Sequence, residues 1–275
     1  MKGLARKNAK IHATAIVSEE AILGEGVEIG PYTLVGPRVR IGPGTRVLNN
    51  VVIDGRTQIG ERCVIHTGAC IGTPPQDKRY KEEYDTGLRI GDDNVIREYV
   101  TINVGTHPGS ETLIGSRNLF MIGSHVAHDC TLGNDIVIAN TVALSGHVTV
   151  EDWVVIGGLA AIHQFVRVGK YAMIGGLSRV VMDIPPFSLC NGQPARFYSA
   201  NLVGLRRTGF SSKEISALKA ALRTLFGSGL RLSSAAQKIA EEYAADPQVQ
   251  YVLSFIKDSK RGITRASRGE NSSED

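Results

Sequence analysis

The sequence lacks long hydrophobic runs and clustered cysteines. It has no apolar stretch of the roughly 18 residues that a membrane-spanning helix requires, and residues 1–8 are basic, with no apolar segment of signal-peptide type. No Cys-x-x-Cys pair occurs among the four cysteines, Cys63, Cys70, Cys130 and Cys190. We therefore predict a cytoplasmic protein with no membrane span, in which these thiols are reduced packing residues.

A strong excess of either charge is also missing. The formal net charge is +4, from 31 basic and 27 acidic residues. Such a small excess allows an anionic substrate or an acidic protein partner, but it is too weak to indicate nucleic-acid binding, and we predict none. Apolar residues make up 42% of the chain and charged residues 21%, as in soluble globular proteins.

The chain does contain an apolar residue at every sixth position over most of residues 9–185. The series runs from Ile11 to Ile71 without a miss, resumes from Ile90 to Ile102, and continues from Ile114 to Val180. A period of six matches neither the 3.6 residues of a helical turn nor the alternation of a single strand. It is typical of a parallel β-helix built from hexapeptide repeats.

Three such hexads predict one coil of a triangular prism, in which each side is a short strand. Successive coils stack about 4.8 Å apart through parallel ladder hydrogen bonds. The 26 inward positions predict about nine coils. No single coil can bury its own apolar face, so we expect the stack to be stable only as a whole.

Two segments interrupt the repeat. Thirteen residues are added between Ile71 and Ile90, and we predict that residues 74–87 leave the prism as a loop. A polar loop on a regular solenoid is usually functional, although it can also be a tolerated insertion. Residues 105–111 form a second, smaller bulge.

Helix signals replace the hexads after Val180. Ser211 and Glu214 have the spacing of a capping box, which predicts a helix from there to about residue 226. A second helix is predicted from Ser234 to about residue 245. Asp246, followed by a proline, predicts the start of a third helix that ends at about residue 258. We predict a β-helix domain over residues 1–190, a small α-helical domain over 191–258 and a flexible tail over 259–275.

Histidines cluster in one part of the repeat. Positions 18 apart stack on the same edge of neighbouring coils, and His128, Gly146 and Gln164 form such a column, with His125, His147 and His163 one to three residues from it. An imidazole beside a bare backbone N–H suits acyl transfer, which needs a general base and a donor for the oxyanion. Each histidine can instead serve only as a hydrogen-bonding corner residue, and Gly146 as a corner glycine with positive φ.

Converging histidines can also bind zinc, as in the hexapeptide-repeat carbonic anhydrases. Those enzymes pair histidines five residues apart, whereas His125 and His128 are three apart. A zinc-dependent hydratase therefore stays an alternative to acyl transfer.

Several motifs together resemble the UDP-N-acetylglucosamine 3-O-acyltransferase family, which catalyses the first step of lipid A biosynthesis. They are Gln76-Asp77 in the loop, Ser124 to Cys130, Gly146-His147-Val148, Ile162 to Phe165, and Asn201 to Phe210. The similarity covers residues 9–258. It implies a left-handed parallel β-helix, which the spacing alone does not, and a homotrimer with sites between adjacent prisms.

The resemblance also implies the chemistry. His128 would be the general base, Asp129 its support and the Gly146 N–H the oxyanion donor, in the transfer of a 3-hydroxyacyl chain from acyl carrier protein to the 3-hydroxyl of UDP-N-acetylglucosamine, with no metal or cofactor. Gly176 would be the floor that limits acyl-chain length. Gln76 and Asp77 of the loop would contribute from the facing subunit. The other predicted substrate-binding residues are Gln76, Asp77, Arg79, His125, His147, His163, Gln164, Asn201 and Arg207.

Three departures from the family pattern concern charge near the substrate. Arg79 stands near where the family has a lysine, Val104 where arginine is common, and Thr208 where a second arginine often follows Arg207. Acyl transfer to a different amino-sugar nucleotide, including one with a 3-amino group, therefore remains an alternative acceptor reaction.

Overall fold

A computed structural model describes residues 8–266 of the chain. The hexads form 26 short strands, each with its second residue directed inward. In chain order they are β1 (Lys10–Ile11), β2 (Ile16–Val17), β3 (Ile22–Leu23), β4 (Glu28–Ile29), β5 (Leu34–Val35), β6 (Arg40–Ile41), β7 (Arg46–Val47), β8 (Val52–Ile53), β9 (Arg56–Ile59), β10 (Val64–Ile65), β11 (Cys70–Thr73), β12 (Gly87–Ile90), β13 (Val95–Ile96), β14 (Thr101–Asn103), β15 (Glu111–Ile114), β16 (Leu119–Phe120), β17 (His125–Val126), β18 (Thr131–Leu132), β19 (Val137–Ile138), β20 (Ala143–Leu144), β21 (Thr149–Val150), β22 (Val155–Ile156), β23 (Ala161–Ile162), β24 (Arg167–Val168), β25 (Met173–Ile174) and β26 (Arg179–Val180).

Every third strand belongs to the same sheet, which is the topology of a three-sided prism. Strands β1, β4 and their successors to β25 form one side, β2 to β26 the second, and β3 to β24 the third, all paired in parallel. The predicted nine coils are therefore present. From Leu23 onward the inward side chains of the hexads are almost completely buried, and each such burial contributes roughly 1.5–3 kcal/mol.

The two predicted interruptions are visible in the strand register. Undisturbed coils pair residues 18 apart, as in His125 with Ala143. Cys70 instead pairs with Thr101, 31 residues on, because residues 74–86 leave the prism. Thr101 pairs with His125, 24 residues on, because six residues are added in the bulge between β14 and β15.

The loop and the bulge lie against each other. The Gly87 N–H donates to the Ser110 carbonyl at 3.0 Å, and the Gly109 N–H to the Asp85 carbonyl at 2.8 Å. The Arg56 guanidinium joins them, with contacts of 3.1 Å to Asp85 and 2.6 Å to Glu111. The two insertions thus form one surface feature of the prism.

A β-hairpin lies between the prism and the helices. It consists of β27 (Ser188–Gly192) and β28 (Ala195–Ala200), pairs with the end of one sheet and takes up the first residues of the range 191–258 predicted as the α-helical domain, so that the first helix begins at residue 202. The helices are α1 (Leu202–Arg207), α2 (Ser212–Gly227), α3 (Leu232–Glu242) and α4 (Pro247–Lys257).

Their boundaries follow the capping signals in part. The capping box of Ser211 and Glu214 is formed, and Asp246 caps α4. Helix α3 starts two residues before Ser234, with Arg231 at the N-cap position and no side-chain cap. The short helix α1 was not predicted. None of the helices in residues 8–266 is long and apolar enough to cross a membrane.

The predicted flexible tail is wrong for its first residues. Residues 259–266 follow α4 and pair with the end of the prism through bridges of Ile263 with Asp183 and of Ala266 with Phe197. The Ser259 hydroxyl donates to the buried Asp183 carboxylate at 2.6 Å. The rest of the predicted tail, 267–275, lies outside the described residues.

Candidate active site

The centre of the site is the adjacent pair His128 and Asp129. Both follow β17 at a prism corner, where Asp129 takes a left-handed conformation with φ of 58°. Nδ1 of His128 lies 2.8 Å from Oδ2 of Asp129. Because an ionised carboxylate can only accept, Nδ1 carries the proton in the neutral imidazole. Nε2 of His128 is then the atom that can accept a proton from a substrate.

Asp129 is held in its ionised form. Burial alone would raise the pKa of this carboxyl, but hydrogen bonds from His128, Thr106 and Ser110 outweigh it and keep the pKa well below its ordinary value. The Thr106 hydroxyl donates to Oδ2 at 2.6 Å, and the Thr106 N–H to Oδ1 at 3.3 Å. Asp129 can therefore orient His128 and stabilise its charged form at neutral pH.

The expelled loop brings a second carboxylate to His128. Oδ2 of Asp77 lies 3.9 Å from Nε2, which is too long for a hydrogen bond but places a negative charge beside the imidazole. The prediction assigned Asp77 to the facing subunit. In the structure Asp77 lies beside His128 of its own chain, because the loop folds back over the bulge.

Arg79 neutralises Asp77. Its guanidinium makes a two-pronged contact, with Nε 3.1 Å from Oδ1 and Nη2 2.7 Å from Oδ2, and its backbone N–H also donates to Oδ1. The Arg79 side chain is the main cause that lowers the pKa of Asp77. The predicted site residue Arg79 thus contacts the loop carboxylate itself.

Gly146 leaves room for the His128 ring. An added Cβ at Gly146 would lie 2.6 Å from Nε2 of His128, so no side chain fits while the ring keeps its place. Its φ is not in the left-handed region, so the alternative of a corner glycine with positive φ does not hold here, whereas Gly123 has φ of 67°. Space beside the imidazole is the reason for glycine at this position.

The Gly146 N–H is also uncommitted. On another prism edge, the N–H at the corresponding hexad position of Asn134 donates to the Asp152 side chain of the next coil at 2.7 Å. The corresponding N–H of Gly146 has no hydrogen-bond acceptor within residues 8–266. A backbone donor beside a base is the arrangement that stabilises an oxyanion.

Two further histidines border the pair. Nδ1 of His125 lies 2.7 Å from the Thr101 hydroxyl, and burial followed by the nearby His128 lowers the pKa of His125. Nε2 of His147 lies 3.6 Å from Oδ2 of Asp129, and burial lowers the pKa of His147 although Asp129 opposes this. Both rings are therefore neutral at neutral pH and can act as hydrogen-bonding groups.

Other predicted residues make no direct contact with this centre. Gln164 lies one coil beyond Gly146. The N–H of the next residue, Phe165, donates to the Gly146 carbonyl at 3.1 Å. Arg207 is exposed at the end of α1, beyond the prism. The remaining residues of this group, all exposed, are Gln76, His163, Gln164 and Gly176.

Asn201 has a structural role that the sequence did not predict. It is buried, its Oδ1 accepts from the Gly204 N–H at 3.0 Å as the N-cap of α1, and its Nδ2 donates to the Tyr171 carbonyl at 2.9 Å. Both polar atoms are thus used inside the fold. Asn201 caps α1, and its contact with substrate stays a prediction.

Two residues of the site were missed in the sequence. The Phe165 ring stacks on His147, with centroids 4.6 Å apart, and its position 18 residues after His147 was a signal that coil arithmetic offered. Thr106 gave no such signal, because it lies in the bulge where the count of 18 fails.

The centre also has the composition of a possible metal site. Ligand atoms of His128, Asp129 and His147 all lie within 4.8 Å of one another. Two imidazoles and a carboxylate are ligands that zinc accepts. In the structure, however, Oδ2 of Asp129 already binds His128 and Thr106, so a metal would have to replace those hydrogen bonds.

The prism and its histidine-lined edge define an acyltransferase of the hexapeptide-repeat class. A family model described as bacterial transferase hexapeptide (six repeats) matches residues 38–73, and one described as UDP-N-acetylglucosamine O-acyltransferase, domain 2, matches residues 183–264. The predicted fold class, a left-handed parallel β-helix with a small α-helical C-terminal domain, is confirmed.

Known proteins identify the family more narrowly. An enzyme of Thermodesulfovibrio yellowstonii named acyl-(acyl-carrier-protein)-UDP-N-acetylglucosamine O-acyltransferase is 49% identical over 93% of this chain and 99% of its own. The same-named enzyme of Syntrophobacter fumaroxidans is 47% identical over 93% of this chain and 100% of its own. The UDP-N-acetylglucosamine acyltransferase structure from Bacteroides fragilis is 40% identical with a TM-score of 0.90, covering 92% of this chain and 99% of that one. The chain belongs to the UDP-N-acetylglucosamine O-acyltransferase family.

Proposed function

We propose that the protein transfers a 3-hydroxyacyl chain from acyl carrier protein to the 3-hydroxyl of UDP-N-acetylglucosamine, as the first step of lipid A biosynthesis. Family membership supports the two substrates. The observation that carries the chemistry is the geometry at His128, with Nδ1 fixed by Asp129 at 2.8 Å and Nε2 facing the loop carboxylate of Asp77 at 3.9 Å.

The acceptor hydroxyl donates its hydrogen bond to Nε2 of His128. As its oxygen attacks the thioester carbonyl carbon, His128 takes its proton, and Asp129 stabilises the imidazolium that forms. The tetrahedral intermediate then expels the thiolate of the carrier protein, which takes the proton back from His128. The C–O bond replaces the C–S bond, and no covalent enzyme intermediate forms.

The Gly146 N–H stabilises the oxyanion of that intermediate. It is uncommitted in the structure, and the missing side chain lets the reacting carbon approach His128. A preorganised donor of this kind contributes roughly 10²- to 10³-fold to the rate. Neutral His125 and His147 orient the hydroxyl groups of the substrates without adding charge.

The more distant residues complete the site in a homotrimer. His163, Gln164 and Arg207 are exposed in the single chain and have no contact with the centre. A neighbouring prism would cover this edge and make a groove for the nucleotide and the acyl chain. Arg207 would then bind phosphate, and Gly176, which has no side chain, would leave space for a long acyl chain at the floor of that groove.

The test is an assay with purified protein, UDP-N-acetylglucosamine and 3-hydroxyacyl carrier proteins of several chain lengths, followed by mass spectrometry. We expect a product heavier by one hydroxyacyl group. His128→Ala should lower kcat by about 10²- to 10⁴-fold. His12→Ala, which changes an exposed histidine near the other end of the prism, is the matched control and should retain activity.

Two alternatives are decided in the same assay. If a product forms only with an acceptor that has a 3-amino group, that acceptor would replace the 3-hydroxyl acceptor of the proposal. The cluster of His128, Asp129 and His147 favours zinc hydratase chemistry as a second candidate. Bicarbonate dehydration by the purified protein that is lost on chelation would support that candidate.

We also propose that the enzyme acts in the cytoplasm. All four cysteines are free thiols in the structure, as is usual in reducing compartments. Fractionation of cells that express the full chain would test this, and recovery in an extracellular or membrane fraction would contradict it.

A further inference from the structure

We propose that Thr106, in the second bulge of the prism, is a positioning residue for the pair of His128 and Asp129. The inference rests on the proposed function for its effect on turnover, but its structural part concerns only how the carboxylate is held. Thr106 is 1% exposed and contacts Asp129 through both its hydroxyl and its backbone N–H.

Thr106 fixes the carboxylate at two points. Its hydroxyl donates to Oδ2 at 2.6 Å and its N–H to Oδ1 at 3.3 Å, so both oxygens of Asp129 are held by one residue. Oδ2 is also the atom that accepts from Nδ1 of His128. A carboxylate bound at only one oxygen can rotate, whereas this one presents the same oxygen to the imidazole.

A competing partner makes this restraint necessary. Nε2 of His147 lies 3.6 Å from the same Oδ2, so a small rotation of the carboxylate would bring it to His147 instead of His128. Asp129 would then no longer select the tautomer in which Nε2 of His128 can accept a proton. The two-point contact from Thr106 therefore acts on catalysis through Asp129, without touching the reacting atoms.

The bulge is built to deliver this residue. Residues 104–110 connect β14 to β15 and make the coil six residues longer, and the Gly105 N–H donates to the Gly87 carbonyl at 3.1 Å, which anchors the bulge beside the loop. Within the regular coils, the buried threonines use their hydroxyls on backbone atoms, as Thr45 does with the Gly60 carbonyl at 2.9 Å. The hydroxyl of Thr106 is used on a side chain of the active site instead.

The experiment compares Thr106→Val, which removes the hydroxyl and keeps the shape, with Thr106→Ser, which keeps the hydroxyl. We expect kcat to fall about 10- to 100-fold in Thr106→Val, with KM for both substrates changed less than about threefold, and to return to within about threefold of the original in Thr106→Ser. Thr45→Val is the matched control: it loses a buried threonine hydroxyl in a coil remote from the site, and its kcat should not change.

A second readout separates this inference from the proposed function. With ¹⁵N-histidine labelling, the imidazole of His128 should be mainly the Nδ1–H tautomer in the unsubstituted protein and in Thr45→Val, and a mixture in Thr106→Val. If the unsubstituted protein transfers no acyl group, the proposed function fails while the tautomer still tests the role of Thr106.

The inference is overturned if Thr106→Val keeps its kcat within twofold and its His128 tautomer unchanged. It is equally overturned if Thr106→Ser is as impaired as Thr106→Val, since the hydroxyl would then not be the group that matters. Should Thr106→Val not fold, Thr106→Ala removes the hydroxyl without adding an atom, and the same outcomes apply to it.

Discussion

The substitution Gly146→Ala tests the site most sharply because it adds a single methyl group and removes no functional group. The new Cβ would lie 2.6 Å from Nε2 of His128, whereas carbon and nitrogen atoms not bonded to each other pack at about 3.5 Å. The ring would have to move by roughly 1 Å. Since φ of Gly146 is not in the left-handed region, the backbone itself accepts alanine.

A displacement of that size is enough to affect both contacts of the imidazole. It would break the 2.8 Å hydrogen bond to Asp129 or move Nε2 away from the acceptor hydroxyl. Misplacement of a reacting group by about 1 Å costs on the order of 10²-fold in rate. We therefore expect kcat to fall about 100-fold in Gly146→Ala. The fold should tolerate the change, because alanine also restricts the unfolded chain and offsets about 0.4–1 kcal/mol of any strain.

The assay is the same acyl transfer, with the melting temperature measured in parallel. Gly227→Ala is the control, because Gly227 lies at the end of α2, its φ is not in the left-handed region, and its added Cβ meets only Cγ of Arg223, at 3.6 Å. It should melt normally and keep its kcat within about threefold. Full activity of Gly146→Ala would refute the reasoning, since it would show that the position of the His128 ring does not limit the reaction.

Three further predictions concern charge and capping. The pKa of Asp129 is lowered, so its ionised carboxylate stabilises the fold above about pH 4. The difference in unfolding free energy between the unsubstituted protein and Asp129→Asn should therefore shrink as the pH falls below about 4. A difference that does not vary with pH would contradict the hydrogen-bond assignment. Arg79→Lys keeps the charge but loses the two-pronged contact with Asp77, so kcat/KM should fall about threefold to tenfold in steady-state assays, and an unchanged value would show that charge alone suffices. Asn201→Ala should lower stability by about 1–2 kcal/mol in a denaturant titration with KM unchanged, whereas a raised KM at normal stability would return Asn201 to the substrate site.

Much of the fold could be predicted because the hexad is a local rule. Each inward residue, such as Ile53 or Ile138, takes the same place in its coil, so the period specifies the strand, the side that is buried and the number of coils. Coil arithmetic then placed His128 beside Gly146 without any knowledge of coordinates. The left-handedness of the β-helix could not be predicted in this way, because the hexad spacing is the same for either hand. Only the resemblance to the family implied it.

The parts of the site that were not predicted depend on the two insertions. Inside the loop and the bulge no repeat specifies where a residue lies, and the contacts of Asp77 with His128 and of Thr106 with Asp129 join residues that coil spacing does not relate. Asn201 was assigned to the substrate because its motif resembles the family, although its burial and its capping bonds are properties of the folded chain.

The sequence by itself therefore determined the prism, the edge on which the candidate site lies and the residue types available there, because a repeating burial pattern converts position in the chain directly into position in space. The tertiary structure alone decided which carboxylate faces which nitrogen of His128, why glycine stands at position 146, and how residues 259–266 cover the end of the prism. These depend on the packing of segments that are distant in the chain, for which no local pattern exists.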